Sequence, residues 1–278
     1  MNKNNVILTG LPRGGTTLTC HLLNKVNETV ALDEPMKVSA FHELGGNEAI
    51  CDVVERFFAQ SRESICTRGT ATSKHVDGKI PDNSYGDQYA KDGLRKKRVT
   101  KGEVSLPMQA SNNFVLCIKH CASFTAILEN LTKRFPCYAI IRNPLSVLTS
   151  WNSVGIKISK GRAPGAERLD AGLSGALALM ADKTERQLFL LSWFYEKYRL
   201  LLPRSAILYY EDIVASGGRC LSVITPQAQT LTESLQSQNK NKLYKRQLML
   251  DFGEKLLDTE GAYWEFYSRE SVQSLLQE

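Results

Sequence analysis

An α/β fold, with a parallel sheet sandwiched by helices, is what this sequence predicts, and three observations predict it. Short, continuous apolar runs recur along the chain. Segments with apolar residues at helical spacing lie between them, and charged residues stand just after the runs. Strands buried on both faces read as continuous apolar runs, and their alternation with helices is the pattern of a parallel sheet. Ligands of such sheets gather at the carboxyl ends of the strands.

Val6-Ile7-Leu8 is the first predicted strand. The loop Gly10-Leu11-Pro12-Arg13-Gly14-Gly15 follows, and Thr16 and Thr17 open a helix with apolar Leu18, Leu22 and Val26 four residues apart. Thr29 to Leu32 is a second strand, ending on Asp33 and Glu34. Phe114 to Ile118 is the next, ending on Lys119 and His120, with a helical stretch from Phe124 to Leu131 behind it. Tyr138 to Ile141 is a further strand, and Pro144 suits the first turn of the helix after Arg142. Thr184-x-x-Gln187 resembles a capping box before the apolar-striped segment Leu188 to Leu202. Ala206 to Tyr209 is the last strand and leads into Tyr210-Glu211-Asp212. Arg13, Glu34, Lys119, Arg142 and Glu211 thus all follow strands and are expected on one rim.

The whole chain, 1–278, is read as a single domain, with a less regular region at 226–278. Two segments interrupt the alternation. Residues 67–112 are polar and carry six lysines and arginines between Lys91 and Lys101, and residues 155–183 are rich in glycine. Both are expected to be loop or helical excursions over the active site, with the basic run a solvated loop first and a contact for an acidic substrate second. Hydrophobic content of 42% is enough for a core, and a net charge of +6 suggests an anionic ligand. The seven cysteines form no C-x-x-C pair and read as reduced thiols of a cytoplasmic protein. No apolar run reaches the ~18–20 residues that cross a bilayer, and the N-terminus lacks the apolar core of a signal peptide.

Gly10 to Thr17 has the spacing of a phosphate-binding loop, G-x-x-x-x-G-K-[ST], with threonine in the lysine position. Backbone N–H groups at the start of the following helix still cradle an anion. Arg13 offers a planar fork of donors in place of the lysine. Arg142-Asn143-Pro144 puts a second arginine at a strand end, with Ser150 eight residues on and two helical turns away. A guanidinium and a hydroxyl can hold one phosphate together. The predicted fold class is therefore a P-loop-like parallel sheet.

These two motifs, about 130 residues apart, resemble those of the sulfotransferase superfamily. Pro12 to Thr17 is similar to its 5′-phosphosulfate loop, P-[KR]-[SGT]-G-T-T. Arg142 and Ser150 are similar to its 3′-phosphate motif, and Tyr210-Glu211-Asp212 to its Y-E-D turn. With arginine in the first loop, the chain looks more like the tyrosine and some bacterial sulfotransferases than the cytosolic ones. The R-K-G-x-x-G motif of the cytosolic enzymes is not visible, which leaves Lys242, Tyr244 and Lys245 as candidates in the C-terminal region.

The resemblance implies a co-substrate, 3′-phosphoadenosine 5′-phosphosulfate (PAPS), and a product, adenosine 3′,5′-bisphosphate (PAP). Arg13, Gly14, Gly15, Thr16, Thr17, Arg142, Ser150 and Tyr210 would hold the nucleotide. Arg13 and Lys119 would support the transferring group, and Glu34 would be the base, with His120 its rival. The family's K-x-H sequence differs from the adjacent Lys119 and His120 here, a change that turns the imidazole to the other side of an extended chain. No metal is expected. The acceptor hydroxyl would belong to a small molecule, a glycan or a peptide. A P-loop kinase or NTPase is the alternative, disfavoured by Thr16 and by the lack of a clear metal-binding aspartate at the end of an apolar strand. A non-catalytic anion- or nucleic-acid-binding module ranks last, because no aromatic pattern accompanies the basic run.

Overall fold

The computed structural model describes residues 2–107 and 113–277. In chain order the elements are β1 (Asn5–Gly10), α1 (Thr16–Leu23), β2 (Thr29–Asp33), α2 (Asn47–Arg68), β3 (Thr70–His75), β4 (Tyr85–Tyr89), β5 (Arg95–Lys97), β6 (Thr100–Ser105) and β7 (Val115–Lys119). Then come α3 (Ala122–Ala126), α4 (Leu128–Thr132), β8 (Cys137–Ile141), α5 (Pro144–Asn152), α6 (Pro164–Glu167), α7 (Ala171–Leu179) and α8 (Lys183–Leu201). The last are β9 (Ile207–Tyr209), α9 (Tyr210–Ala215), α10 (Arg246–Leu257) and α11 (Arg269–Leu276).

Five strands form one parallel sheet in the order β2-β7-β1-β8-β9. Successive residues of each strand face opposite sides, so the sheet separates two apolar layers. Ile7, Leu32, Ile118 and Ile141 pack under α2, α4, α5 and α8. Val6, Leu8, Ala31, Cys117 and Ile140 pack under α1, α9 and residues 221–231. The continuous apolar runs of the sequence are strands buried on both faces, and the α/β expectation holds.

The connection after β1 runs outward to β2, whereas the connection after β8 runs to β9 at the opposite edge. Adjacent strands whose connections diverge leave a crevice beyond their carboxyl ends, where α/β sheets bind ligands. The phosphate-loop candidate and Arg142 border that crevice.

Several local expectations are corrected. The polar segment after α2 is no bare loop: β3 pairs with β6 and β4 with β5 as two antiparallel ribbons. Residues 67 and 68 belong to α2. The capping box at Thr184 is displaced by Asp182, whose carboxylate accepts from the N–H groups of Thr184 and Glu185. Gln187 instead donates to the Ile158 carbonyl. Tyr210-Glu211-Asp212 opens α9 and is no turn. Pro144 does sit in the first turn of α5, behind Asn143, whose side chain caps Leu145 N–H. All seven cysteines are unbridged. Among the described residues, no helix is long and apolar enough to cross a membrane.

Candidate functional site

Beyond β1 the chain turns back so tightly that Leu11 N–H reaches the Ile140 carbonyl (3.1 Å) and Gly14 N–H the Leu11 carbonyl (2.8 Å). Gly15 has φ 99°, and a Cβ there would lie 2.6 Å from Cδ2 of Tyr210. A glycine is therefore required by both the backbone and the tyrosine ring against it. Arg13 holds φ 66°, a left-handed conformation uncommon for a side-chain-bearing residue. Glu34, directly after β2, shares it at φ 46°. Non-glycine residues in this region cluster at functional sites. The first-turn N–H groups of α1 have no intrahelical acceptor, and the loop lines a cavity of about 700 Å³.

Register brings the charged strand ends together. Asp33 and Lys119 are direct neighbours on the parallel pair β2–β7, and Lys119 Nζ stands 2.6 Å from the buried Asp33 carboxylate. Lys119 also reaches Glu34 Oε1 at 3.3 Å. Ser73 of β3 accepts from Asp33 N–H (2.9 Å), which anchors the ribbon and delivers the next residue, Lys74, into an ion pair with Glu34. Burial opposes charge on Lys119, but Asp33, Cys121 and Glu34 outweigh it and hold the ammonium above its usual pKa. Burial likewise opposes charge on Glu34, yet Lys119 and Lys74 hold that carboxyl well below the usual range. Glu34 is thus an ionised and weakly basic carboxylate.

Asp33 amends the reading that no metal-type aspartate ends an apolar strand. It ends β2 and accepts from the Thr17 hydroxyl at 3.2 Å. Its charge, however, is already matched by Lys119.

His120 lies elsewhere. One residue past Lys119, it turns away from the cavity, as strand alternation demands. Its Nε2 accepts from Met36 N–H at 3.1 Å, and its ring packs edge-on to Phe124. Burial pushes its pKa down to about 3, so it is a neutral core acceptor. The rival base is therefore set aside. Glu211 is also drawn off the rim: it accepts from Asn143 N–H, Asn239 Nδ2 and the Tyr267 hydroxyl.

On the β8 side, Arg142 is buried, with its guanidinium 4.6 Å from the centre of the Tyr210 ring. It donates to the Arg13 carbonyl (3.1 Å), Asn239 Oδ1 (2.8 Å) and the Gln238 carbonyl. Ser150, fully buried on α5, accepts from Arg13 Nε at 3.2 Å. The two sequence motifs therefore meet, although Ser150 touches the first arginine and not the second.

What joins them is Tyr244, on the segment 232–245, which contains neither helix nor strand. Its phenol accepts from Arg142 Nη2 at 3.4 Å. Burial opposes its ionisation, but Arg142, Ser150 and Arg13 outweigh burial and lower its pKa. A hydroxyl oxygen thus takes a donor of Arg142, beside the Arg13–Ser150 pair. Of the three C-terminal candidates, Tyr244 lines the cavity; Lys242 and Lys245 do not.

The excursions close the walls. Asn83 accepts from Arg13 Nη1 (2.9 Å), Ser84 meets the Thr17 hydroxyl (3.3 Å), and the Tyr85 ring lies under the Arg13 guanidinium. Burial pulls Arg13 down to about 10, which leaves it charged at neutral pH. Lys97 and Arg98 stand on the same wall, and residues 156–158 and 162–165 form the other. Sequence reasoning missed Lys74, Asn83 and Tyr85, which belong to no motif. Their place follows from how the ribbons fold back.

Neither a scan against protein-family models nor a search of curated proteins finds a match for this chain.

Proposed function

We propose that this chain is a sulfotransferase that uses PAPS as donor and releases PAP. The observation that carries the reading is the meeting of two anion seats at the crevice. One is the Arg13–Thr17 loop over the α1 N-terminus; the other is the cluster of Arg142, Arg13 and Ser150, where the Tyr244 hydroxyl accepts from Arg142. A donor with an anionic group on both its 5′ and 3′ sides fits that pair.

The donor supplies a sulfuryl group activated by its bond to phosphate. The acceptor oxygen forms the new S–O bond as the S–O bond to the 5′-phosphate breaks, and the hydroxyl proton goes to a base. Arg13, Lys119 and the loop N–H groups face the charge that develops on the leaving phosphate and the sulfuryl oxygens. Glu34 is the carboxylate next to Lys119. It gains basicity when the acceptor hydroxyl takes the place of Lys74 beside it, because that lysine depresses its proton affinity. Tyr210 packs the nucleotide end. The acceptor is a small molecule, glycan or peptide, and the unbridged thiols suit a reducing cytoplasm.

A kinase or NTPase needs a carboxylate free to hold Mg²⁺, and Asp33 is neutralised by Lys119. A nucleic-acid module needs a continuous basic surface, and here Arg95 is buried in hydrogen bonds to Gly86 and Tyr85. Melting curves test all three. PAP at 100 times its Kd should stabilise the fold by about 2.7 kcal/mol, with Mg²⁺–ATP and an oligonucleotide without effect. Stabilisation by Mg²⁺–ATP and none by PAP would overturn the proposal.

A further inference from the structure

Nine side chains lining the cavity are lysine or arginine, and three, Glu34, Asp82 and Asp87, are carboxylates, which leaves a formal lining charge of +6. The donor carries roughly four negative charges, nearly two on the 3′-phosphate and two on the phosphosulfate. Asp33 and Glu167, which pair with the lining Lys119 and Arg162, bring the balance to about +4, a field that walls of low polarisability concentrate in the cavity.

The cations without a carboxylate partner can be located. Arg13, Lys119 and Arg142 serve the phosphate seats, and Lys74 is paired with Glu34. Arg95 is committed to Gly86, Tyr85 and Asp87, and Arg162 to Glu167. Lys97, Arg98 and Lys157 are left. None of the three has a carboxylate within ion-pair distance among the described residues. They come from both excursions, which a parallel bridge between Arg95 and Val154 ties together, two residues before Lys97 and three before Lys157. Arg95 N–H to the Ser153 carbonyl (3.0 Å) fixes the same junction. The Arg98 side chain lies along Gly86, where a Cβ would approach its Cδ to 3.0 Å. Unneutralised cations directed at one cavity by two separate segments have an anionic ligand as their counterpart.

We propose that the acceptor is itself an acid: a small hydroxylated compound bearing one or two anionic groups, which Lys97, Arg98 and Lys157 hold while its hydroxyl faces Lys119 and Glu34. The inference rests on the sulfuryl-transfer reading for assigning the other cations to the donor. A cavity of about 700 Å³ is of the size that takes a nucleotide and a small molecule, and the three cations line its walls and not an open stripe.

The test is calorimetry on the full chain, first with PAP and then, at saturating PAP, with two matched pairs of probes. The pairs are 4-hydroxyphenylacetate with its amide, and glucuronate with glucose, so that aryl and sugar scaffolds are told apart. The acid of at least one pair should bind tenfold or more tightly than its neutral partner. In a Lys97→Ser, Arg98→Ser, Lys157→Ser variant the preference should shrink to within twofold. All three side chains are exposed, so that variant should keep the wild-type melting temperature and bind PAP within twofold of wild type. No binding of either acid, or equal binding of acid and neutral partner, overturns the inference. So does a variant that loses PAP along with the acid, since its cations would then belong to the donor. Failure of the wild type to bind PAP overturns the donor reading instead.

Discussion

Replacing Tyr244 by phenylalanine removes the single oxygen to which Arg142 donates beside the Arg13–Ser150 pair, and keeps the ring that lines the cavity wall. In the free protein that oxygen accepts from Arg142 Nη2 across a long 3.4 Å. A hydrogen bond contributes about 0.5–1.5 kcal/mol net, a long one at the low end. A 3′-phosphate entering the seat has to displace it, so the phenol opposes it by roughly 0.5–1 kcal/mol, a factor of about 2–5. Tyr244→Phe should therefore bind PAP about 2–5-fold more tightly in calorimetry, with adenosine 5′-phosphate unchanged. The ligand-free protein loses the same bond and should melt about 2–4 °C lower for each kcal/mol. Weaker PAP binding would make the phenol a phosphate ligand and refute its role as a displaced occupant. Equal tightening of both nucleotides would move the competition away from the 3′ side.

Arg142→Ala should abolish most of the preference for PAP over adenosine 5′-phosphate, worth about 1.5–3 kcal/mol for a charged hydrogen bond; an unchanged preference in calorimetry removes Arg142 from the 3′ seat. Glu34→Gln should lower turnover by roughly 10² to 10⁴ with PAP affinity little changed, whereas His120→Asn should keep turnover and lose about 1–3 kcal/mol of stability by unpairing Met36 N–H. Because the folded pKa of Glu34 is depressed, its stabilising contribution is fully present above the unfolded value of about 4.3 and fades as pH falls toward the folded value. In denaturant melts, the stability gap between wild type and Glu34→Gln should thus be flat from pH 8 to 5 and narrow only in stronger acid; a gap that changes near pH 6–7 refutes this. EDTA should leave single-turnover transfer within about twofold, a barrier change below ~0.5 kcal/mol, since Arg13 and Lys119 supply the fixed charge; loss of transfer with rescue by Mg²⁺ would restore the kinase reading. Lys119→Met should slow the same step by orders of magnitude and should also lower the melting temperature, because buried Asp33 is left with its charge unmatched.

The sheet was legible because its signal is local. Strands buried on both faces must be apolar throughout, so Val6–Leu8, Val30–Leu32, Leu116–Ile118 and Ala139–Ile141 announce themselves. The phosphate loop was legible for the same reason, since its tight turn demands glycine within a few residues of β1. Arg13, Glu34, Lys119 and Arg142 could be put on one rim from their place after strands alone. Other relations are decided between segments far apart in the chain and leave no periodic trace. That His120 faces away from Lys119 is local alternation and was legible, whereas that Asp33 is consumed by Lys119 depends on the register of β2 against β7. That Ser150 meets Arg13 depends on α5 packing against the loop, where Trp151 also donates to the Pro12 carbonyl, and that Tyr244 reaches Arg142 depends on the irregular segment 232–245 crossing the crevice. Lys97 and Arg98 sit in a basic run that the sequence reads first as solvated charge and second as contact for an acidic substrate, and Lys74 in a polar stretch without a motif. Only the folding back of the two ribbons, pinned by Ser73 at Asp33 and by Arg95 at Ser153, turns those charges toward one cavity, because apolar periodicity specifies which face is buried and not which polar segments meet.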